Sequence, residues 1–227
     1  MYKNAVIDQS IKTTKDLKKQ ASTLESNIKS NASNQSDDYE STLTTELAKY
    51  GYASYEELND YCLTSVKEKE MNKKYITKHF DEVKKAWEEK SPRTVSIIKM
   101  DVSDADNLTE TETKKKSNID KALEKESFAD VAKAFSEDSN TANKNGFAGY
   151  VDSNSTSSDS SSTSTVPADV VTAAIGLKKG ETSDWITVTS SSGTSLYKVY
   201  VKETNSKKIF NAKSDTVSNQ ALYAILN

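Results

Sequence analysis

The spacing of apolar residues changes at Pro92, and this change limits the folds that the chain can adopt. Before it, apolar side chains recur at the three- and four-residue spacing of helices, as at Leu17 and Ala21. After it, the segment 94–100 is short and rich in β-branched residues, as expected of a strand. Because proline disfavours helix at the residue before it, the pattern predicts a helical region over 1–92 and a different domain beyond it.

The second part of the chain predicts an α+β domain. Its pattern over 93–204 is β-α-α-β-α-β-β, which favours a four-stranded antiparallel sheet with the strand 94–100 beside 195–202. The helical pattern returns in 205–227, and we expect this segment to pack with the N-terminal helices, in the same chain or in a homodimer partner. The serine-rich stretch 153–165 predicts a flexible surface loop, with a phosphorylated or glycosylated tract as the alternative.

Composition excludes several classes of function. The formal net charge of −3 argues against a nucleic-acid partner, which requires a clustered basic face. No apolar run approaches the ~20 residues of a membrane-spanning helix. Cys62 is the only cysteine, so an intrachain disulfide is excluded and a small buried side chain is expected. His79 is the only histidine, which excludes any mechanism that needs two, and no metal site is expected.

Two motifs carry a resemblance to a known family. The segment 128–139 has the form F-A-x-x-A-x-x-F-S-x-D-S and is followed by a strand flanked by Gly146 and Gly149. The segment 173–183 has the form A-A-x-x-L-x-x-G-E-x-S. Together they resemble the parvulin peptidyl-prolyl isomerase domain, which has an FKBP-like fold, over roughly residues 93–203. In that family the two glycines bracket a central strand beside the proline pocket.

The flanking helices extend the resemblance to the PrsA-type foldase lipoproteins of Gram-positive bacteria, and SurA is organised similarly. The resemblance implies a parvulin domain inserted in an all-α chaperone lobe that the N-terminal and C-terminal helices form together. It implies unfolded secreted polypeptides as partners and no cofactor. It also implies a location on the outer face of the cell membrane, with a lipid anchor on a segment outside this chain.

The resemblance also implies candidate site residues. Active parvulins carry two facing histidines, and the matching positions here are Ser96 and Ser195. A third polar position, Cys or Asp in the family, falls on Asp138. The apolar pocket of the family matches three positions, Ala148, Val166 and Val170.

These replacements leave alternatives open. Ser96 and Ser195 are either ordinary polar positions in a scaffold that has lost catalysis or part of a weakly active site, and Asp138 is either a site residue or a turn cap. The expected function is a foldase or chaperone whose isomerase activity is weak or lost. The alternatives are an active prolyl isomerase with a non-histidine site and a helical surface protein with no role in folding.

Overall fold

The computed structural model describes residues 2–156 and 166–226, and contacts within the chain divide it into two compact units, Met1–Phe80 and Asp81–Asn227. Each unit has its own core. In the expected serine-rich loop, Ser153–Thr156 form a short 3₁₀ helix. The rest of that predicted loop, 157–165, lies outside the described residues.

The first unit is helical, as the periodicity predicts. Its helices are α1 (Tyr2–Ser10), α2 (Lys15–Ser33), α3 (Tyr39–Ala48) and α4 (Leu58–Lys78). Thr14 begins α2 by accepting a hydrogen bond from the backbone N–H of Leu17 at 3.2 Å. Cys62 is fully buried, and this burial raises the pKa of its thiol to about 11, so it acts as a small hydrophobic side chain.

The second unit contains the four-stranded antiparallel sheet that the sequence predicts. Its elements are α5 (Phe80–Glu89, which begins at the last residue of the first unit), β1 (Arg93–Val102), α6 (Glu110–Leu123), α7 (Phe128–Phe135), β2 (Phe147–Val151), α8 (Ala168–Gly176), β3 (Ile186–Ser190), β4 (Gly193–Glu203), α9 (Ser206–Phe210) and α10 (Asp215–Leu226). The strand order is β2-β1-β4-β3. The expected α+β fold is therefore confirmed, with β1 inside the sheet beside β4.

The two faces of this sheet bury different helices, because side chains alternate along each strand. Val95 and Ile97 of β1 pack with Val199 and Val201 of β4 beneath α8. The intervening residues of both strands, such as Ile98 and Met100, pack beneath α6 and α7 on the opposite face. We call these the α8 face and the α6/α7 face.

A buried hydrogen-bond chain joins α5 to the edge strand β2. The indole N–H of Trp87 donates to the hydroxyl of Tyr150 at 2.9 Å, and that hydroxyl donates to Asp152 Oδ2 at 2.8 Å. All three residues are at most 5% exposed. Asp152 Oδ1 in turn accepts hydrogen bonds from the backbone N–H groups of Asn154 and Ser155, so it also holds the 3₁₀ turn that follows.

The C-terminal helices complete the same unit. Lys90 Nζ donates to the carbonyl of Ala224 at 3.0 Å, and Ser206 Oγ donates to Glu88 Oε1 at 2.6 Å. Helix α9 contacts β1, and α10 contacts β2.

These contacts place the boundary between the units at 80/81 instead of the expected 92/93. Residues 81–92 belong to the sheet unit because Trp87 is buried against its edge strand, and 205–227 belong there with them. The expected division into 1–92, 93–204 and 205–227 therefore needs this correction.

Gly146, which directly precedes β2, and Gly149, which lies within it, have positive φ angles of +76° and +96°. At Gly146 a Cβ atom would lie 2.6 Å from Ala132 Cβ and 2.8 Å from the carbonyl oxygen of Ile97. That close approach lets the Gly146 carbonyl accept a hydrogen bond from the N–H of Ile97 at 2.8 Å. The strand that follows is an edge strand, not the central strand that the family resemblance implies.

The change Tyr150→Phe should destabilise the sheet unit by about 1–3 kcal/mol, because Trp87 and Asp152 each lose a buried hydrogen-bond partner. Urea unfolding followed by tryptophan fluorescence measures this loss. Tyr50→Phe is the control, since Tyr50 is 58% exposed and should change the unfolding free energy little. Equal effects of the two substitutions would contradict the structural role of the hydrogen bonds that join Trp87, Tyr150 and Asp152.

The change Gly146→Ala should cost more than Gly180→Ala. Both glycines have positive φ (+76° and +87°), but a Cβ at Gly180 meets nothing within 4 Å. Gly180→Ala thus isolates the backbone strain, about 1 kcal/mol, while Gly146→Ala adds overpacking of roughly 1–3 kcal/mol. Thermal unfolding of both variants gives the comparison. Similar melting temperatures would show that Ala132 and Ile97 move away from the added Cβ with little loss of stability.

Candidate functional site

Four polar side chains meet across β1 and β4 at the edge of the α8 face. The antiparallel register pairs Lys99 with Tyr197 and Asp101 with Ser195, so all four lie on the same side of the sheet. Lys99 Nζ lies 2.9 Å from Asp101 Oδ1, and Ser195 Oγ donates to the same oxygen at 2.6 Å. We call this group the cross-strand array.

The loop after α7 brings Asp138 beside this array. Beyond Ile97, the free edge of β1 pairs with this loop: the N–H of Lys99 donates to Ser136 Oγ at 3.1 Å, and its carbonyl accepts from the N–H of Glu137 at 2.9 Å. Glu137 also forms an ion pair with Lys115 of α6. The loop is therefore held at Lys99 by backbone and side-chain bonds together.

Asp138 itself serves as a turn cap. Its Oδ1 accepts from the N–H of Asn140 at 3.1 Å, and its Oδ2 accepts from Thr141 Oγ1 at 2.8 Å. This is the arrangement that the structural alternative for Asp138 predicts. The charge of its carboxylate also raises the pKa of Lys99 and of Tyr197 in the array.

The array shifts the pKa values of its members. Burial raises the pKa of Tyr197, and the Lys99 charge opposes that rise. The hydrogen bond to Asp101 raises the pKa of Lys99 against the effect of burial. Partial burial would raise the pKa of Asp101, but hydrogen bonds from Lys99 and Ser195 outweigh it, so the pKa lies below its ordinary value.

Ser96 does not face Ser195, contrary to the sequence expectation. Ser96 pairs with Tyr200, whereas Ser195 pairs with Asp101, which is five residues further along β1 and about 17 Å away. Five residues is an odd number, so the two serines also point to opposite faces. Ser96 is 3% exposed on the α6/α7 face, and the expected pair of facing site serines is wrong.

The three expected pocket residues do come together, on the α8 face. Ala148 lies half-buried against a cluster that contains Val166 and Val170. Val166 is 5% exposed and Val170 is fully buried. These two side chains are part of the domain core and leave little apolar surface for a proline ring.

Lys99, Asp101 and Tyr197 are the residues that the sequence analysis missed. The alternation of side chains along a strand could have identified them, because Ser195 lies on the same face of β4 as Tyr197, Val199 and Val201. Their partners on β1 must then share the face of Val95 and Ile97, which selects the odd positions 99 and 101 instead of 96.

Comparison with known protein families matches residues 96–201 to the rotamase family, described as the PPIC-type PPIase domain. The match begins in β1 and ends in β4, so it spans the whole sheet. These residues belong to the parvulin-type peptidyl-prolyl isomerase family, and the expected parvulin domain is confirmed. The comparison with curated proteins found no match.

Solved structures of PrsA proteins are similar to this chain. One is the foldase protein PrsA from Streptococcus pneumoniae, with 22% identity and a TM-score of 0.41, covering 99% of this chain and 76% of that chain. Another is the peptidylprolyl isomerase PrsA from Bacillus anthracis, with 19% identity and a TM-score of 0.34, covering 100% and 94%. A third is the foldase protein PrsA from Lactococcus lactis, with 23% identity and a TM-score of 0.34, covering 99% and 79%.

The described residues contain neither a membrane-spanning helix nor a cluster of metal ligands. Across 2–156 and 166–226, none of the helices has the length and apolar character needed to cross a membrane. Within the same ranges, no group of three or more His, Cys, Asp or Glu side chains is placed to hold a metal ion.

Removing Lys99 should raise the pKa of Asp101 more than removing the Ser195 hydroxyl does. A depressed carboxyl pKa stabilises the fold above the ordinary value of about 3.9, and this contribution is lost as the pH falls through the lower folded value. Lys99→Met should reduce that contribution, and Ser195→Ala should reduce it less. Carboxyl NMR titration measures Asp101 directly.

Asp104 provides an internal control in the same spectra. A hydrogen bond from Asn107 lowers its pKa, and it has no contact with the array. An Asp101 pKa that stays unchanged in Lys99→Met would show that the ion pair does not persist in solution.

Proposed function

We propose that this protein is an extracytoplasmic foldase that mainly holds unfolded secreted polypeptides, with prolyl isomerase activity that is weak or lost. The cross-strand array is the observation that supports this proposal. A parvulin-type domain is present, but the polar groups beside Asp138 are a lysine, an aspartate, a serine and a tyrosine. The only histidine of the chain, His79, stacks on Tyr75 in the first unit.

The chemistry of prolyl isomerisation explains why this array matters. The barrier of about 18–20 kcal/mol comes from amide resonance, so catalysis consists of binding the twisted amide better than either planar form. That requires an apolar pocket for the ring and polar groups that are free to stabilise the altered amide. Here Lys99 and Ser195 are already bound to Asp101, and Val166 and Val170 are buried in the core.

Holding a polypeptide makes smaller demands on the domain. A chaperone needs surfaces that contact extended segments, and it needs no preorganised group at an amide. The solved PrsA proteins that this chain is similar to are described as foldases or peptidylprolyl isomerases. The proposed clients are unfolded or partly folded secreted polypeptides, and the proposed location is the outer face of a Gram-positive cell membrane, reached through a lipid anchor outside this chain.

An active isomerase with a non-histidine site is the second candidate. The observation that favours it is the pairing of Lys99 with Tyr197 across β1 and β4, since both side chains are hydrogen-bond donors and the charge of Asp138 raises the pKa of both. In this case Lys99 or Tyr197 would donate to the carbonyl oxygen of the twisted amide.

Two assays on the same preparation should separate the candidates. In refolding limited by proline isomerisation, we expect the wild-type protein to change the slow rate by less than about twofold over the uncatalysed reaction, which takes tens of seconds or more. In light scattering, it should suppress aggregation of an unfolded substrate at near-stoichiometric amounts. Asp138→Ala should leave that suppression unchanged.

The contrary result is strong catalysis by the wild type that is lost in Lys99→Met, Tyr197→Phe or Asp138→Ala. Lys133→Met is the matched control, because Lys133 is an exposed lysine of α7 outside the array. Loss of catalysis in the array variants alone would establish the second candidate in place of the first.

A further inference from the structure

A cleft of about 450 Å³ lies on the α6/α7 face, away from the cross-strand array. Lys198 and Tyr200 of β4 line it, and they alternate with Tyr197 and Val199, which point to the α8 face. The rest of the lining comes from the end of α6, the start of α7 and the segment before β3.

The cleft combines aromatic rings with carboxylates. Phe128 and Tyr200 line it with their rings stacked, with the centroids 5.3 Å apart and an angle of 22° between the ring planes. Glu124, Glu126 and Asp184 are exposed around the rings. Within the described ranges, these three carboxylates form no ion pair or side-chain hydrogen bond, so their charge is available to a ligand.

Two lysines of the chain already bind beside this cleft through the same combination of groups. Lys198 Nζ lies 3.5 Å from Asp120 and 5.2 Å from the centre of the Trp185 ring. Lys116 Nζ lies 3.8 Å from Asp120 and 5.6 Å from the same ring. This surface therefore holds cationic side chains between a carboxylate and an aromatic ring.

The free carboxylates point to an organic cation as the ligand. The described residues contain no cluster of three acidic side chains that could share a metal ion. An anionic ligand is disfavoured by Asp120, Glu124, Glu126 and Asp184, against which the cleft offers only Lys198. A guanidinium group fits both features, because it pairs with carboxylates and stacks on aromatic rings.

We propose that this cleft binds arginine side chains of extended polypeptide segments. The cleft thereby selects basic segments among the clients, and it does so on the face of the domain opposite Asp138. This assignment rests on the proposed holding function for the identity of the polypeptide, but the cleft and its charge stand apart from the cross-strand array.

Binding of labelled peptides to the full chain tests the assignment. The probe is a fluorescein-labelled nine-residue peptide with two arginines flanking a leucine pair. Its matched control carries citrulline in place of each arginine, which keeps the shape and removes the charge. The arginine peptide should bind about tenfold more tightly than the citrulline peptide, and the difference should shrink in 0.5 M salt, where the Debye length falls to roughly 4 Å.

A triple variant locates the binding. Glu124→Gln, Glu126→Gln and Asp184→Asn together should weaken the arginine peptide about tenfold. The control triple Glu89→Gln, Glu110→Gln and Asp169→Asn makes the same change in net charge elsewhere in the sheet unit and should leave binding within about twofold. Melting curves of both triples show that each variant is folded.

Three results would overturn the proposal: no binding of the arginine peptide, equal binding of the citrulline peptide, or equal weakening by the two triple variants. Aggregation suppression is measured beside them to separate the two proposals. If suppression persists while the peptides fail to bind, the cleft assignment fails and the holding function stands. If suppression is absent while the arginine peptide binds the cleft, the holding function fails instead.

Discussion

The hydrogen-bond chain from Trp87 through Tyr150 to Asp152 fixes how the second unit is assembled. Its three side chains are buried, so each polar atom needs its neighbour, and the chain holds only if α5 lies against β2. An edge strand exposes unpaired backbone groups that invite pairing with other chains. Helices α5 and α10 lie against the edge strand β2. The other edge of the sheet is β3.

The alternation of side chains along β1 and β4 separates the chemistry of the domain into two places. Lys99, Asp101, Ser195 and Tyr197 share the α8 face, while Lys198 and Tyr200 lie on the α6/α7 face. In the first group, an ion pair joins Lys99 to Asp101, and a hydrogen bond joins Ser195 to the same carboxylate. The second borders a cleft in which Glu124, Glu126 and Asp184 form no ion pair or side-chain hydrogen bond within the described residues, so the cross-strand array is the less available of the two for binding.

The sequence predicted the fold well because local patterns determine strands, helices and turns. The β-branched segment 94–100 lies in strand β1, as its composition predicts. The glycines at 146 and 149 have positive φ angles, which other residues rarely adopt. The site was harder, since it depends on strand register, which a motif match does not contain. Placing Ser96 opposite Ser195 ignored the five-residue offset, and placing the boundary at Pro92 ignored the burial of Trp87, which is a long-range contact.

The position of α10 limits the order in which the two units can become structured during synthesis. Residues of the first unit emerge first and contain all of their own core, so they can fold while the rest is still unmade. The sheet unit cannot, because its edge strand β2 is covered by a helix that ends only at Leu226. A chain built this way can complete its helical unit before its sheet unit, and the sheet unit closes only after α10 has been made.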